Sequence, residues 1–573
     1  MVSGQITESK AEFPRWLKWT LYALAAAICL FTILYALLAS GLTNAALKSR
    51  LETNLSSRSG MQVQSTGNVS LGLFPPTAKL TAVKGASVPP GITMEAESLE
   101  VSFSFLSLIA NNPVMNEIKL SGGHIDVDAG NFAQFGRHFV DRAFPGTLRV
   151  ADTKLSVLWP DGRRDVVGKL AGTLRWPVLN GAARLAASGN WQGEDVRLEG
   201  SSDEPLKMLA GSESAVSLQF KSTPISFDYA GNIAFQDMFL AEGKLKAKAP
   251  SLNAVLDWVD MPAALHSDQG ALDVEASLSH ADGKLTLNDL TMAFGGIPAS
   301  GMLVLDPSPA TPLVSGTLAF EKADLGSLVA AFQPAARDAT GRSLDLDLRF
   351  SAETVQAASF VLENAAGAIK VSGNDTFLDL GSSRFAGGEC VGSLKFSGPI
   401  GKREAVVKLS MRNIMADQAA SYDPTFPILS APLSAQVEAA GEFYNWLQFI
   451  RQAKGTLNLT TGEGIARNFS TETLAGLVSA GSVFALTETY AGLSPVISAE
   501  VKAILSGGAI IINLADLRFS SHDIRLAGAV PLLSGGVALS GHIAPAGDKP
   551  EGLPFFVGGT WDRPFVTFGA TGQ

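Results

Sequence analysis

The stretch Leu344-Asp345-Leu346-Asp347-Leu348-Arg349-Phe350 alternates apolar and charged residues with a period of two. Successive side chains of a β-strand point to opposite faces, so this stretch is predicted to be a strand with one apolar and one charged face. The same alternation runs from Leu99 to Phe105 and from Leu272 to Leu278. Half-buried strands are therefore expected to be the main structural element of the chain.

Three segments repeat one longer pattern: residues 285–306, 378–398 and 510–533. In each segment a predicted strand contains a polar pair such as Asn288-Asp289, at which the apolar-polar alternation shifts by one residue. The strand then continues to a Phe, the chain turns at a pair of small residues, and a second strand runs back beside the first. A slip of one residue in the alternation is typical of a β-bulge. Because a single hairpin cannot bury its apolar face, stacked hairpins are expected to form a long antiparallel sheet.

Helical patterns are few, and the predicted fold class is mainly β with a few short helices. Leu47, Leu51 and Leu55 mark a short amphipathic helix that ends before Gly60. Weaker helical patterns interrupt the strands at residues 131–142, 251–259, 323–333, 442–453 and 469–489.

Composition excludes several classes of protein. The chain has 573 residues, of which 46% are hydrophobic and 17% charged, so it is too apolar to be a disordered tail. Its two cysteines, Cys29 and Cys390, can form neither a disulfide framework nor a zinc ribbon. The net charge of -10 and the lack of a basic stripe argue against nucleic acid as a partner.

One apolar segment near the N-terminus is predicted to cross a membrane. Residues 19–38 carry no charge, and about 20 helical residues span the roughly 30 Å of bilayer hydrocarbon. Ala39-Ser40-Gly41 supplies the small residues that a cleaved signal peptide would need, but the apolar run is longer than such peptides carry. Lys10, Arg15 and Lys18 before the segment are answered by Lys48, Arg50 and Arg58 after it, but the first group lies closer to the apolar stretch. We therefore expect a cytoplasmic tail over residues 1–15, a transmembrane helix over 16–39 and the remaining chain outside the cytoplasm.

The order of several segments resembles the AsmA family of bacterial envelope proteins. At the N-terminal end these are a short helix ending at Gly60, MQVQSTGNVSLGLFPPTAKLTAVKGASVPPG, ITMEAESLEVSFSFLSLI and IKLSGGHIDVD. Near the C-terminus they are KGTLNLTTGEGIA, VKAILSGGAIIINLADLRFSSHDIRLAGAVPLL and LPFFVGGTWDRPFV. The resemblance implies an AsmA-like β module over residues 40–205, a middle β-repeat region over 206–430 and a second module over 431–573.

The family in turn resembles eukaryotic bridge-like lipid transfer proteins, in which stacked strands form a U-shaped, taco-like trough. The resemblance implies an inner-membrane protein with a periplasmic body that carries phospholipid between the inner and outer membranes and supports outer-membrane biogenesis. It also admits outer-membrane or envelope proteins as partners. The same-phase apolar residues that we expect to contact lipid are Leu99, Val101, Phe103, Phe105, Leu272, Val274, Leu278, Leu344, Leu346, Leu348, Phe350, Leu378, Leu380, Leu394, Phe396, Ile510, Ile512 and Leu514.

Other interpretations of the alternation remain open at this point. An antiparallel sandwich buries such faces against a second sheet and needs no ligand. A non-catalytic periplasmic scaffold that affects outer-membrane protein assembly is the alternative function. An outer-membrane barrel also alternates, but it needs a cleaved signal and apolar side chains facing lipid all round.

The sequence contains only weak candidates for a catalytic or metal-binding site. His124, Asp126 and Asp128 share one face of a predicted strand, which we interpret as a solvated polar face rather than a metal site. Gly388-Glu389-Cys390-Val391-Gly392 imitates a nucleophile elbow, but a strand pattern follows it where that motif needs a helix. A periplasmic hydrolase is the competing class. We predict no catalytic residue, no metal and no cofactor.

Overall fold

The computed structural model describes residues 44–73, 75–88, 91–104, 114–131, 146–159, 162, 164–235, 239–259, 270–309, 311–324, 326, 344–357, 360–399, 401–419, 427–547 and 552–568. These residues form a mainly β structure with a few short helices, as predicted. Contacts divide the chain into two compact units, Met1–Gly243 and Lys244–Gln573. The module boundaries expected near residues 205 and 430 stay predictions.

The first unit contains a ladder of neighbouring strands. They are β1 (Met61–Ser65), β2 (Val69–Leu73), β3 (Pro76–Ser87), β4 (Ile92–Phe103), β5 (Met115–Asp128), β6 (Gly146–Leu158), β7 (Arg164–Trp176), β8 (Ala183–Trp191), β9 (Glu194–Ser202), β10 (Ser214–Lys221) and β11 (Ser226–Phe235). Strand β12 (Phe239–Ala249) contains the boundary between the units. Both β1 and β2 pair with β3, and each later strand up to β11 pairs with the one before it.

The second unit continues in the same style. Its strands are β13 (Leu272–Ala281), β14 (Lys284–Phe294), β15 (Ile297–Asp306), β16 (Leu313–Asp324), β17 (Asp345–Ala357), β18 (Phe360–Ser372), β19 (Asp375–Phe385), β20 (Gly388–Ser397), β21 (Glu404–Met415), β22 (Ile428–Ser430), β23 (Pro432–Glu442), β24 (Lys454–Thr461), β25 (Gly464–Arg467), β26 (Phe484–Ala485), β27 (Leu493–Ser506), β28 (Ala509–Phe519), β29 (His522–Pro531), β30 (Gly536–Pro545), β31 (Leu553–Thr560) and β32 (Arg563–Phe568). Strand β21 pairs with β23, and β24 and β25 both pair with β27.

Short helices sit beside the ladders. They are α1 (Asn44–Ser59), α2 (Pro205–Leu209), α3 (Leu252–Trp258), α4 (Trp446–Gln452) and α5 (Thr471–Ser479), with 3-10 turns at Ala129–Asn131 and Leu486–Thr489. The patterns at 251–259 and 442–453 are confirmed by α3 and α4. The pattern at 469–489 overestimates α5, because the chain after Ser479 turns into β26 and a 3-10 turn.

The predicted transmembrane helix over residues 16–39 lies outside the described residues, as do residues 132–142 of another helical pattern. Within the described ranges, none of the helices has the length and apolar character needed to span a membrane.

Within the part of the chain that the structure describes, two pairs of neighbouring strands are parallel, and the expectation of a purely antiparallel sheet is wrong for them. Strand β5 pairs with β6, and β16 pairs with β17, in parallel register. A parallel pair needs a long crossover that returns the chain to the same end of the sheet. In the sequence, 17 residues separate β5 from β6 and 20 separate β16 from β17. The period-two pattern on which the prediction depends carries no information about strand direction.

The repeated hairpins are confirmed with their bulges. Strands β14–β15, β19–β20 and β28–β29 are antiparallel pairs whose register slips between Leu287 and Leu290, between Leu380 and Arg384, and between Ile512 and Ala515. At the predicted pair Asn288-Asp289, Asp289 adopts a left-handed φ of 48°, a conformation that Asp and Asn tolerate better than most residues.

Helix α1 closes the outer edge of the first unit. The side chains of Glu52 and Ser56 accept hydrogen bonds from the outward N–H groups of Ser65 (2.7 Å) and Val63 (2.9 Å). Leu55 is buried against a core formed by β1 to β5. An uncovered edge strand is a template for pairing with other chains, and here a helix occupies that position.

We predict that replacing both Glu52 and Ser56 by Ala exposes the edge of β1. One hydrogen bond contributes a net of about 0.5–1.5 kcal/mol, so amide exchange of residues 61–65 should accelerate roughly threefold to tenfold. Hydrogen–deuterium exchange mass spectrometry measures it. Asn54→Ala is the matched control, because the side-chain amide of Asn54 donates to the Arg50 carbonyl of its own helix, 2.9 Å away, and not to β1. Equal exchange in the two variants would contradict this role of α1.

Candidate functional site

The strand register of the second unit aligns apolar residues across the whole ladder. We call the following set the first row, in which every residue is the register partner of the next: Leu290, Gly301, Leu318, Phe350, Gly367, Leu380, Gly392, Leu409, Val437, Leu457, Ala503, Ile512, Gly528, Leu539, Val557 and Val566. No polar side chain interrupts it from β14 to β32. At about 4.8 Å per strand, this row is on the order of 70 Å long.

A second row runs beside the first, two residues away along most of the strands. It contains Leu278, Leu287, Leu303, Gly316, Leu348, Ile369, Leu378, Leu394, Val407, Ala439, Gly455, Leu505, Ile510 and Val530. The first and second rows define what we call the apolar face of the second unit.

The first unit has the same arrangement. One of its rows consists of Val69, Leu80, Leu99, Leu120, Val150, Gly172, Ala187, Leu198, Phe220 and Phe227. The neighbouring row consists of Leu71, Ala78, Val101, Ile118, Leu148, Leu174, Leu185, Gly200, Leu218 and Tyr229. Tyr229 is the one member with a polar atom, and its hydroxyl donates to the carbonyl of Asn232 at 2.9 Å.

The opposite face of the second unit carries the charges. Asp379, Ser393, Lys408, Glu438 and Thr456 are successive register partners one residue away from the first row. Lys408 and Glu438 form an ion pair of 2.6 Å. Charged side chains on this polar face stay in water, so the alternation seen in the sequence keeps the charges off the apolar rows in the middle of the ladder.

Glycines in the first row make room for large neighbours. A Cβ atom on Gly367 would lie 2.7 Å from Cζ of Phe350 and 2.1 Å from the carbonyl oxygen of Asp379. One on Gly392 would lie 3.3 Å from Cδ1 of Leu409. The large side chains therefore lie over the glycines of adjacent strands. As a result, the row stays apolar at its glycine positions.

Much of the apolar face is only partly covered. Phe350, Leu380, Leu409, Val437 and Leu457 are all half-buried, although each lies in the interior of the ladder. Contiguous apolar surface left open to water is unusual on a soluble protein and marks a binding surface.

Two short helices cover the apolar face locally. Phe449 of α4 is buried against Phe396, Ala405 and Ala439, next to Leu394 and Leu505. The ring of Phe443 packs on Phe396 with centroids 4.7 Å apart. This α4 cluster covers the ends of β20, β21 and β23 and leaves the middle of the first row half-open.

Helix α5 covers the C-terminal end of the same face. Its Leu474 and Val478, together with Phe484 of β26, belong to one buried core with Phe555, Val557 and Val566. The helix begins after Ser470, whose Oγ accepts from Thr473 N–H at 3.0 Å. A further hydrogen bond from Thr471 N–H to Ser494 Oγ, 3.1 Å long, fixes its first turn to β27.

The structure brings most of the predicted lipid-contacting residues together. Leu278, Leu348, Leu378, Leu394 and Ile510 share the second row, and Phe350, Leu380 and Ile512 share the first. Leu346 and Phe396 lie beside the second row and are buried, as is Val274 near Leu290. Leu272 and Leu344 are half-buried in the same phase as their neighbours. In the first unit, Leu99 and Val101 are buried, Phe103 packs beside them, and Phe105 lies outside the described residues.

Leu514 is an exception. The alternation places it in phase with Ile510 and Ile512, but the register slip in β28 pairs Leu514 with Lys502 on the polar face. A shift of one residue moves every following side chain to the other face. The expectation for this residue is therefore corrected.

Sequence reasoning missed the small members of the rows, including Gly316, Ala439, Gly455 and Ala503. Only large apolar residues were expected to line the face. The signal that would have found the small ones is their phase relative to Leu and Val on the same strand, read together with the position of each bulge.

The candidate metal residues form ordinary polar contacts. His124 Nε2 lies 2.7 Å from Asp126 Oδ1 and 3.3 Å from Ser156 Oγ, while Asp128 Oδ1 accepts from Gly130 N–H at 3.0 Å. Among the described residues, no group of three or more His, Cys, Asp or Glu is arranged to hold a metal ion.

Cys390 lies inside β20, in a buried cluster with Val355, Leu362 and Ala365. Burial raises the pKa of its thiol, which disfavours the nucleophilic thiolate. The Gly388–Gly392 segment is therefore part of a hairpin strand, as the strand pattern after it indicates.

Comparisons of the chain with protein-family models, curated proteins and solved structures gave no match.

We predict that Gly367→Ala disrupts the first row. The new methyl group would meet the Asp379 carbonyl and the Phe350 ring, and overpacking of this kind costs about 1–3 kcal/mol. The loss of unfolding free energy is measured on the full chain by urea denaturation, with limited proteolysis as the probe of whether the second unit is folded. Gly381→Ala is the control, because its Cβ atom would have no neighbour closer than 3.7 Å. Equal stability of the two variants would contradict the packing described here.

Proposed function

We propose that this protein carries phospholipid along its apolar face. The observation that supports this most is the uninterrupted first row, half-open to water over most of its middle, on a ladder whose other face is charged. A sandwich core would be buried along its length. Here the best-buried positions lie under α4 and α5 and in smaller clusters, whereas the middle of the first row is half-open.

The energetics of a phospholipid match such a surface. Its two acyl chains carry on the order of 30 methylenes, each worth about 0.8 kcal/mol when removed from water. A row without a charged or hydrogen-bonding side chain presents no site at which a chain would be repelled. Large side chains of neighbouring strands lie over the glycines of the first row, so the surface between them stays apolar.

The proposal extends to the wider architecture expected from the sequence. The chain is a member of the AsmA family, residues 16–39 anchor it in a bacterial inner membrane, and the body lies in the periplasm. We propose that the stacked strands form a U-shaped trough whose inside is the apolar face. Its partners are phospholipids and the membranes between which they move.

The protein acts without catalysis in this proposal. The residues that the sequence offered as a nucleophile and a metal ligand, Cys390 and His124, are a buried thiol with a raised pKa and an imidazole paired with Asp126.

We predict that Cys390→Ala and His124→Ala transfer fluorescent phospholipid between vesicles at rates within about twofold of wild type, since a twofold change is only about 0.4 kcal/mol. Loss of function in either variant, with the fold intact, would favour the competing hydrolase.

We predict that Leu457→Asp blocks transfer. Leu457 is half-buried in the first row, and an ionised carboxylate there would have to be desolvated whenever an acyl chain passes. The transfer rate between vesicles should fall about tenfold or more, equal to a barrier increase of at least about 1.4 kcal/mol.

Two variants control for charge and for folding. Asn458→Asp places the same charge one residue away on the exposed polar face and should transfer lipid like wild type. Leu457→Asn tests polarity without charge and should give an intermediate rate. Limited proteolysis checks that all three variants keep the fold. A folded Leu457→Asp protein with a wild-type rate would refute transport along the first row and leave the scaffold function.

A further inference from the structure

Acyl chains on the apolar face of the second unit have no open path at its C-terminal end. The last two members of the first row, Val557 and Val566, are 8% and 0% exposed. Leu474, Val478 and Phe484 cover them. An acyl chain that moves along the first row toward β32 therefore meets packed protein. It must leave the row along the direction of the strands, at one of the strand ends.

One strand end of this unit carries exposed apolar side chains. We call the α4 rim the set Tyr444, Trp446, Leu447, Leu532, Leu533 and Trp561, whose exposed fractions are 80%, 44%, 52%, 36%, 46% and 54%. These residues lie in α4 and its preceding turn, in the β29–β30 turn and in the β31–β32 turn. Exposed Trp, Tyr and Leu side chains grouped on turns are typical of surfaces that enter the interface of a bilayer.

Backbone contacts hold these turns next to one another. Phe443 N–H donates to the Arg403 carbonyl at 2.8 Å, which joins the turn before α4 to the β20–β21 turn. A Cβ atom on Gly508 would lie 3.5 Å from Cα of Arg451, so the β27–β28 turn touches α4. Leu532 N–H donates to the Gly508 carbonyl at 2.9 Å, and Trp561 N–H donates to the Gly535 carbonyl at 2.9 Å.

A cluster of edge-to-face aromatic rings connects the rim with the rows. Trp446 lies 5.1 Å from Phe443 and 5.9 Å from Phe449, measured between ring centroids. Phe449 packs in turn beside Leu394 and Leu505 of the second row. Apolar side chains thus pack without a break from the exposed rim, through the buried α4 cluster, to the face that we propose holds acyl chains.

Charge near the rim favours lipid phosphate. In residues 401–404, 442–454, 532–535 and 561–563, five Lys or Arg residues stand against three Asp or Glu. Lys402, Arg451 and Lys454 form no ion pair within the described part of the chain. Cations beside exposed aromatic side chains are the combination that binds an anionic bilayer surface.

We infer that the α4 rim docks on a phospholipid bilayer and that lipid passes between this bilayer and the rows beside α4. The inference rests on the proposed function. It names the partner of the second unit as the surface of a membrane, and it places the site of exchange at the strand ends near α4 rather than at the terminal strand β32.

The test uses the full chain reconstituted in donor vesicles of phosphatidylcholine. Acceptor vesicles contain phosphatidylcholine and phosphatidylglycerol, with a tagged phospholipid. The photo-reactive residue p-benzoylphenylalanine replaces Leu447 in the rim, Leu394 in the second row or Leu493 as a control. Leu493 is 67% exposed and lies at the opposite end of β27. We expect tagged phospholipid on positions 447 and 394 and none on position 493.

Each outcome separates the inference from the function on which it rests. Adducts at 394 without adducts at 447 would overturn the rim as a docking site and leave the proposed function standing. Adducts at 447 without adducts at 394 would keep the docking surface and overturn transport along the rows. Equal labelling at 447 and 493, or crosslinks from 447 to a second copy of the chain in place of lipid, would overturn the inference.

Binding of acceptor vesicles gives an independent readout. The double variant Tyr444→Ser with Leu447→Ser removes two of the most exposed rim side chains and should lower the binding constant about tenfold or more. Leu493→Ser with Ile497→Ser, also on exposed positions of β27, should leave it unchanged. Equal binding by the two double variants would contradict the inference.

Discussion

The phase of the pleat is the constraint on which this structure depends. A β-strand turns every second side chain to the same face, so an error of one residue on any strand would place charges on the apolar face. The ladder of the second unit keeps its phase through a long series of strand pairs, although several strands contain bulges. Asp289, Asn364 and Asn413 adopt left-handed backbone at such slips, and the alternation resumes after them.

The sequence contains much of this organisation because the phase is local information. Leu346, Leu348 and Phe350 could be assigned to one face from their spacing alone, and the slip at Asn288-Asp289 is visible as two polar residues in succession. Leu514 could not be assigned, because its face depends on where the slip in β28 falls relative to β27. The parallel pairs and the glycines beneath Phe350 and Leu409 depend on neighbouring strands, which a single strand's pattern does not specify.

The helices divide the apolar surface into covered and open parts. Helix α1 closes the edge of the first unit, and α5 closes the C-terminal end of the rows in the second. Helix α4 lies between the open middle and an exposed apolar rim. A stable fold requires closed ends, and a lipid carrier requires an open middle. The proposed function accounts for both, whereas a plain sandwich would not leave the middle of the first row half-open.

The most direct test of the central claim is a cryo-electron microscopy map of the full chain purified with phospholipid. The account predicts elongated density in van der Waals contact with Leu380, Leu409 and Leu457, continuous across neighbouring strands and absent from the side of Lys408 and Glu438. A map in which a second sheet, another copy or a partner protein covers the first row, with no lipid density on it, would contradict the account.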